Sequence, residues 1–247
     1  MNPLASIAIR ELSLRLSRAG FWATFALVQS AMSLYLLVLV MRYIDNEEAL
    51  YTSGTTSQII TPYMQGGVIV LLLMLPLITM GAIAEDRRSG RLRFYFSLPL
   101  APWMLVVGRF VALGLAVICI WLLPALQPLT LLRGSALDVG VYNTNLIGMG
   151  LFMMMHLALG VCCSSAARNP LIAAALSASI SLGLWFLAGI AHLQGGAAAV
   201  GGLSTAVRLR SFAHGMLHPG DIAYFVLGTL ALMIAACWFV QHERARS

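Results

Sequence analysis

The chain contains no lysine: all fifteen of its basic residues are arginine. A P-loop of the form Gly-x-x-x-x-Gly-Lys-Ser/Thr is therefore excluded. Charge of either sign is scarce. Charged residues make up 10% of the chain, against roughly 25% in a soluble domain. Cysteine is scarce too. Cys119, Cys162, Cys163 and Cys237 have no zinc-type spacing, and adjacent Cys162 and Cys163 are poorly placed to bond each other. They read as small packing residues. A cleavable leader is not expected, because the first apolar run begins near Phe21, is too long, and lacks a small-residue cleavage site.

What fills the chain instead is apolar residue: 60% of 247 positions, at a mean hydropathy of +0.88. No soluble core needs so much. The expected fold is an all-α polytopic membrane protein, one domain over 1–247 with six transmembrane helices. The spans read as about 21–43, 62–84, 103–126, 144–164, 170–192 and 222–239. Gly66-Gly67 and Pro76 are expected to bend the second, which a span tolerates when neighbours re-satisfy the backbone. Arg109, less than two turns into the third, is expected to snorkel toward the headgroups.

Residues 1–20 read as an interfacial helix that Gly20 ends. Ile9, Leu12 and Leu16 form its apolar row, with Arg10, Glu11 and Arg15 among its polar residues and the arginines toward headgroups. In the fourth span Gly148, Phe152 and His156 share one face at i, i+4, i+8, a spacing that points to close helix packing more than to a Met-rich metal site. Residues 44–60 and 127–143 read as outer loops. The stretch 195–220 reads as an outer re-entrant or amphipathic segment, with Asp221 capping the last span.

Residues 85–100 hold four arginines and two acids between two apolar runs. Each charge costs roughly 2.5–3.5 kcal/mol at a bilayer centre, so the cluster must lie outside the hydrocarbon. Two readings stand. The segment is a positive loop that only fixes topology, or it is a short polar helix that something soluble pushes against, followed by an interfacial aromatic stretch. Counting settles the expected orientation. With both termini inside, ten arginines lie on inner segments, Arg109 at an inner helix end, and Arg42, Arg133, Arg208 and Arg210 outside. That bias makes both termini cytoplasmic. It also accounts for the net charge of +6 without nucleic acid.

This arrangement resembles the permease subunits of type-2 ATP-binding-cassette (ABC) transporters. The residues that carry the resemblance are Glu85-Asp86, Ser89-Gly90, Leu92 through Leu98, Pro99-Leu100 and Gly108-Arg109-Phe110. The ending, Leu203-Ser204, Phe212, Gly215 and Asp221 through Phe225, is similar to the gliding-motility and nitrous-oxide-accessory branch. Arg91 and Arg93 depart from the family pattern, standing where Thr or Ser and an acid are common.

The resemblance implies a permease in the bacterial inner membrane with no chemistry of its own. ATP and Mg would sit on a separate peripheral ATPase. Two permeases, identical or different, would work with two ATPases and with a partner on the periplasmic side. It places the coupling to the ATPase on a helix between spans 2 and 3 carrying Glu85, Asp86, Arg87, Arg88, Gly90 and Arg91, with the N-terminal helix (Arg10, Glu11, Arg15) beside it. Glu85 would cap that helix or pair with Arg88, and Gly90 would permit its turn. The path for cargo would run between two permeases along spans one, two and five. Its rivals are a haem-exporter-type permease, a secondary transporter, and an intramembrane enzyme built on His156 with Ser164 or Ser165, or on outer His192, His214 and His218.

Overall fold

A computed structural model of the chain describes residues 3–45, 56–97, 101–133, 138–193 and 201–245. The described residues are helical almost throughout. In order they form α1 (Pro3–Leu16), α2 (Ala19–Asp45), a π-helical turn (Thr56–Ile60) leading into α3 (Thr61–Thr79), α4 (Ala84–Arg88), α5 (Arg91–Ser97), α6 (Pro102–Leu126) with a 3-10 extension (Gln127–Arg133), α7 (Val139–Ala166), α8 (Pro170–Leu193), α9 (Thr205–Ala213) and α10 (Pro219–Arg244). Six helical stretches are long and apolar enough to cross a membrane. They carry large apolar side chains facing outward, among them Leu27, Leu73 and Ile234. Such a surface belongs in lipid. The protein is a multi-pass, all-helical membrane protein.

α7 is the hub. It packs against α10, α3, α8, α9 and α6. Glycines set its closest approaches: a Cβ on Gly160 would lie 2.0 Å from Thr79 Oγ1 on α3, and one on Gly148 would lie 2.7 Å from the Phe212 ring on α9. Gly148 thus seats the fully buried Phe212, and Phe152 and His156 are buried below it, so the shared face is a packing face. Gly66 and Gly67 have the same role on α3, admitting the rings of Tyr35 and Trp121. α9 buries one face, with Thr205 and Phe212 fully inside, and leaves Arg210 exposed.

Several boundaries differ from expectation. The first helix ends at Ser17-Arg18, and Gly20 lies inside α2. α3 stops at Thr79, and the chain turns over 80–83 before α4. The fourth span starts at Val139, because the Asp138 carboxylate accepts from the Gly140 and Val141 amides at 2.9 and 3.1 Å and starts the helix there. α10 starts at Pro219 with His218 as its N-cap, so Asp221 does not cap it. Instead Asp221 accepts from Arg208 at 2.9 Å. α10 has 26 residues, about 39 Å at 1.5 Å per residue, so it outruns a hydrocarbon core of about 30 Å. Pro99-Leu100, residues 46–55 of the first outer loop and residues 194–200 lie outside the described residues.

The contact between Gly160 and Thr79 yields a test with an internal control. Gly160→Ala overpacks the α3–α7 crossing and costs about 1–3 kcal/mol, read as a fall in melting temperature of the detergent-purified protein. Gly150→Ala on the same helix meets nothing within 4 Å and leaves the melting temperature unchanged or higher.

Candidate functional site

The site is built on the break between α3 and α4. A break frees backbone carbonyls and amides, and inside a packed protein they need protein partners. Three helices supply them. From α7, Ser164 Oγ accepts from the Ile83 and Ala84 amides at 2.9 and 3.1 Å and donates to the Met80 carbonyl at 3.0 Å. Ser164 thereby satisfies the first amides of α4, a capping role played from another helix. From α6, Arg109 donates to the Ala82 carbonyl. From α1, Arg15 donates to the Ile78 carbonyl at 3.2 Å.

Arg109 does not snorkel outward. Only 3% of its side chain is exposed, and it turns into the protein to pair with the buried Asp86 carboxylate. Tyr95 from α5 lies with its ring centroid 5.5 Å from the guanidinium, a cation–π geometry. Snorkelling fails here because Asp86 and the Ala82 carbonyl offer closer partners than the headgroups. Asp86 also meets Arg91 Nε at 3.0 Å. Removing Asp86 strands the buried Arg109, which costs about 3–5 kcal/mol.

Arg87 is equally committed. Its Nε donates to Glu243 Oε1 at 2.7 Å, and its other nitrogens reach Glu243 Oε2, the Ser165 carbonyl and the Ala167 carbonyl. α4 is thus locked to the end of α10 and to the α7–α8 turn. Glu85 neither caps α4 nor pairs with Arg88. The N-cap is Ile83 with no side-chain bond, and the Glu85 carboxylate lies 3.6 Å from Arg18 and 3.8 Å from Arg91. Those two pairs are half exposed, and such pairs contribute about 0–1 kcal/mol. The firm anchors are Asp86 and Arg87.

What remains outward is the tip. Arg88, Ser89 and Gly90 are exposed, and Gly90 has φ +75° with open space around it. That left-handed turn is the reason for glycine there. It folds α5 back, so the segment is two short helices, with Leu92 buried and Tyr95 and Phe96 packed on the core. The expected interfacial aromatic stretch is a docked helix.

α1 lies alongside, packed on α6. Its inward side carries Ala8, Leu12 and Arg15, while Ile9 is 62% exposed. Leu12 and Leu16 of the expected row are half-buried, and Arg15 turns inward to the Ile78 carbonyl rather than toward headgroups. Arg15 also pairs with Glu11 at 3.0 Å. Burial lowers the Arg15 pKa and the Glu11 charge opposes the shift. Arg10 points outward. α1, the start of α2, α4 and the end of α10 therefore meet on one face of the protein, called here the terminal face.

The enzyme pairings do not assemble. Ser164 is engaged by the break, and His156 Nδ1 contacts the Phe152 carbonyl at 3.0 Å. The two side chains are separated by about 12 Å of helix rise. Among the described residues no three His, Cys, Asp or Glu side chains come together as a metal set. The chain matches no protein-family model and no curated protein.

Ser164 gives the sharpest local test. Ser164→Ala strands two amides and a carbonyl at the break, where an unsatisfied buried group costs about 1–3 kcal/mol. Ser165, its neighbour, donates only to the Cys162 carbonyl of its own helix. A clear loss of melting temperature for Ser164→Ala beside a near-neutral Ser165→Ala is expected in thermal denaturation of the purified protein.

Proposed function

We propose that the chain is the permease subunit of an ABC transporter, with α4, α5 and α1 as the element that receives a separate ATPase on the cytoplasmic side. The observation that supports this reading is the division of the segment after the second span. Its tip at Arg88 to Gly90 is exposed and makes no ion pair among the described residues. Its base is keyed by Asp86 to α6 and by Arg87 to α10. A push on the tip is therefore delivered to helices that cross the membrane. A loop that only set topology would not need buried anchors.

The arginine bias puts the terminal face in the cytoplasm. On α3, Ile69, Leu73 and Leu77 form an exposed apolar stripe. α2 and α8, themselves mostly exposed, both pack against α3. This surface of spans one, two and five supports a second permease copy there, with cargo passing between copies. Charge within the spans lies near their two ends, as at Arg42, Arg109 and Asp221, and mid-span the only Asp, Glu, Arg or His among the described residues is His156, so an apolar or amphipathic cargo suits the path better than an ion. ATP and Mg belong to the partner.

The test is co-expression with candidate ATPases, beginning with the one encoded beside this chain, followed by purification through a tag on the permease. The ATPase is expected to copurify with the wild type. Arg88→Glu, a change at the exposed tip, is expected to lower its recovery or its stimulated hydrolysis at least about tenfold, roughly 1.4 kcal/mol, while leaving permease yield and melting temperature unchanged. Failure of any ATPase to copurify, or an Arg88→Glu complex as active as wild type, contradicts the reading.

A further inference from the structure

Two cavities meet at the junction of α1 and α2, and they differ in chemistry. One, of about 160 Å³, lies between α1, α4, α5 and α6 on the terminal face. Its arginines are Arg10, Arg15, Arg18, Arg91 and Arg109, and its carboxylates are Glu11, Glu85 and Asp86. Five minus three leaves a charge of +2. The other, of about 400 Å³, lies between α2, α3 and α6 and is walled by Phe21, Leu77, Ile78, Met80, Ala116 and Ile120. Leu77 is 61% exposed on the membrane-facing surface, so this chamber opens sideways. Arg15 and Arg18 line both cavities.

A ligand that fills both must be anionic at one end and hydrocarbon at the other. The volume of the apolar chamber falls in the range of small-molecule sites, about 300–1,000 Å³. The charge is available as well. Arg109 and Arg15 are spent on buried partners, but Arg10 makes no ion pair among the described residues. Arg18 meets Glu85 at only 3.6 Å with 58% of its side chain exposed, which leaves much of its guanidinium free for an anion. A free phosphate would satisfy the arginines and leave the apolar chamber empty. A neutral lipid would fill the chamber and leave the charge uncompensated.

We infer that this pair of chambers binds one anionic phospholipid of the leaflet on the terminal face, its phosphate at Arg18 and Arg10 and an acyl chain between α2, α3 and α6. The lipid would sit against α4, its chain at the terminal end of the stripe, where Leu77 belongs both to the chamber and to the surface of spans one, two and five. Binding is a property of this chain alone, so its test stands apart from the ATPase reading.

The experiment is native mass spectrometry of the full chain purified in detergent, titrated with phosphatidylglycerol or phosphatidylcholine of the same acyl chains. The wild type should retain one phosphatidylglycerol with a preference of roughly thirtyfold, as expected for two arginines near a phosphate at about 1 kcal/mol each. Arg18→Gln should cut that preference to about fivefold. Arg168→Gln, an exposed arginine outside both cavities, should leave it intact. Gly20→Leu should fold, since a Cβ there meets nothing within 4 Å, and should lower retention of both lipids by occupying the apolar chamber. Excess inorganic phosphate should leave the lipid bound. Equal retention of the two lipids by wild type, an Arg18→Gln protein indistinguishable from Arg168→Gln, an unaffected Gly20→Leu protein, or displacement by phosphate each overturns the inference.

Discussion

A helix that breaks inside a packed protein frees carbonyls and amides that have no water to turn to. In this protein the break after Thr79 is closed by side chains from three other helices, and its charged continuation is held by the Asp86–Arg109 pair. That pair carries the arrangement. Both charges are buried, Arg109 has no other carboxylate partner among the described residues while Asp86 also meets Arg91 at 3.0 Å, and the pair ties α4 to α6. Arg87 then ties the same short helix to α10. The contacts of Glu85, longer and half exposed, add little by comparison. The position of α4 is decided by two residues of one turn, and the neighbouring tip is left free.

Such an arrangement ties the short helix to separate spans. A five-residue helix has almost no stability of its own, so its orientation follows its anchors, and its anchors lie on separate spans. Gly90 ends the rigid part with a left-handed turn, and α5 folds back onto the core. The surface left exposed at Arg88 to Gly90 is small, with one arginine at its start, and it is there that the proposed ATPase contact is placed.

Much of this was legible in the sequence. Apolar runs of about twenty residues gave six spans, and the cluster from Glu85 to Arg91 stood out by charge alone. The face of Gly148, Phe152 and His156 followed from helical spacing, and the glycine at 90 from turn chemistry. The pairings were not legible. Arg109 and Asp86 are 23 residues apart, and nothing in a single helix's periodicity says which charge meets which. Arg109 carried a signal nonetheless, because an arginine inside a span asks for a partner. Ser164 carried none: one serine beside another gives no hint that it alone caps a distant helix. On α1 the wheel did not show that Arg15 is drawn inward by the Ile78 carbonyl and Glu11.

The most direct measurement is a double-mutant cycle on Asp86 and Arg109, with Asp86→Asn, Arg109→Gln and the double variant unfolded thermally in the same detergent. If the pair holds the segment as described, Asp86→Asn strands the buried Arg109 and is strongly destabilising, and Arg109→Gln, which leaves Asp86 to Arg91 alone, is destabilising too. The double variant then recovers about 2 kcal/mol or more relative to the sum of the singles. Additive losses, or single variants that melt like the wild type, would show that the two charges do not depend on each other and that α4 is anchored by something else.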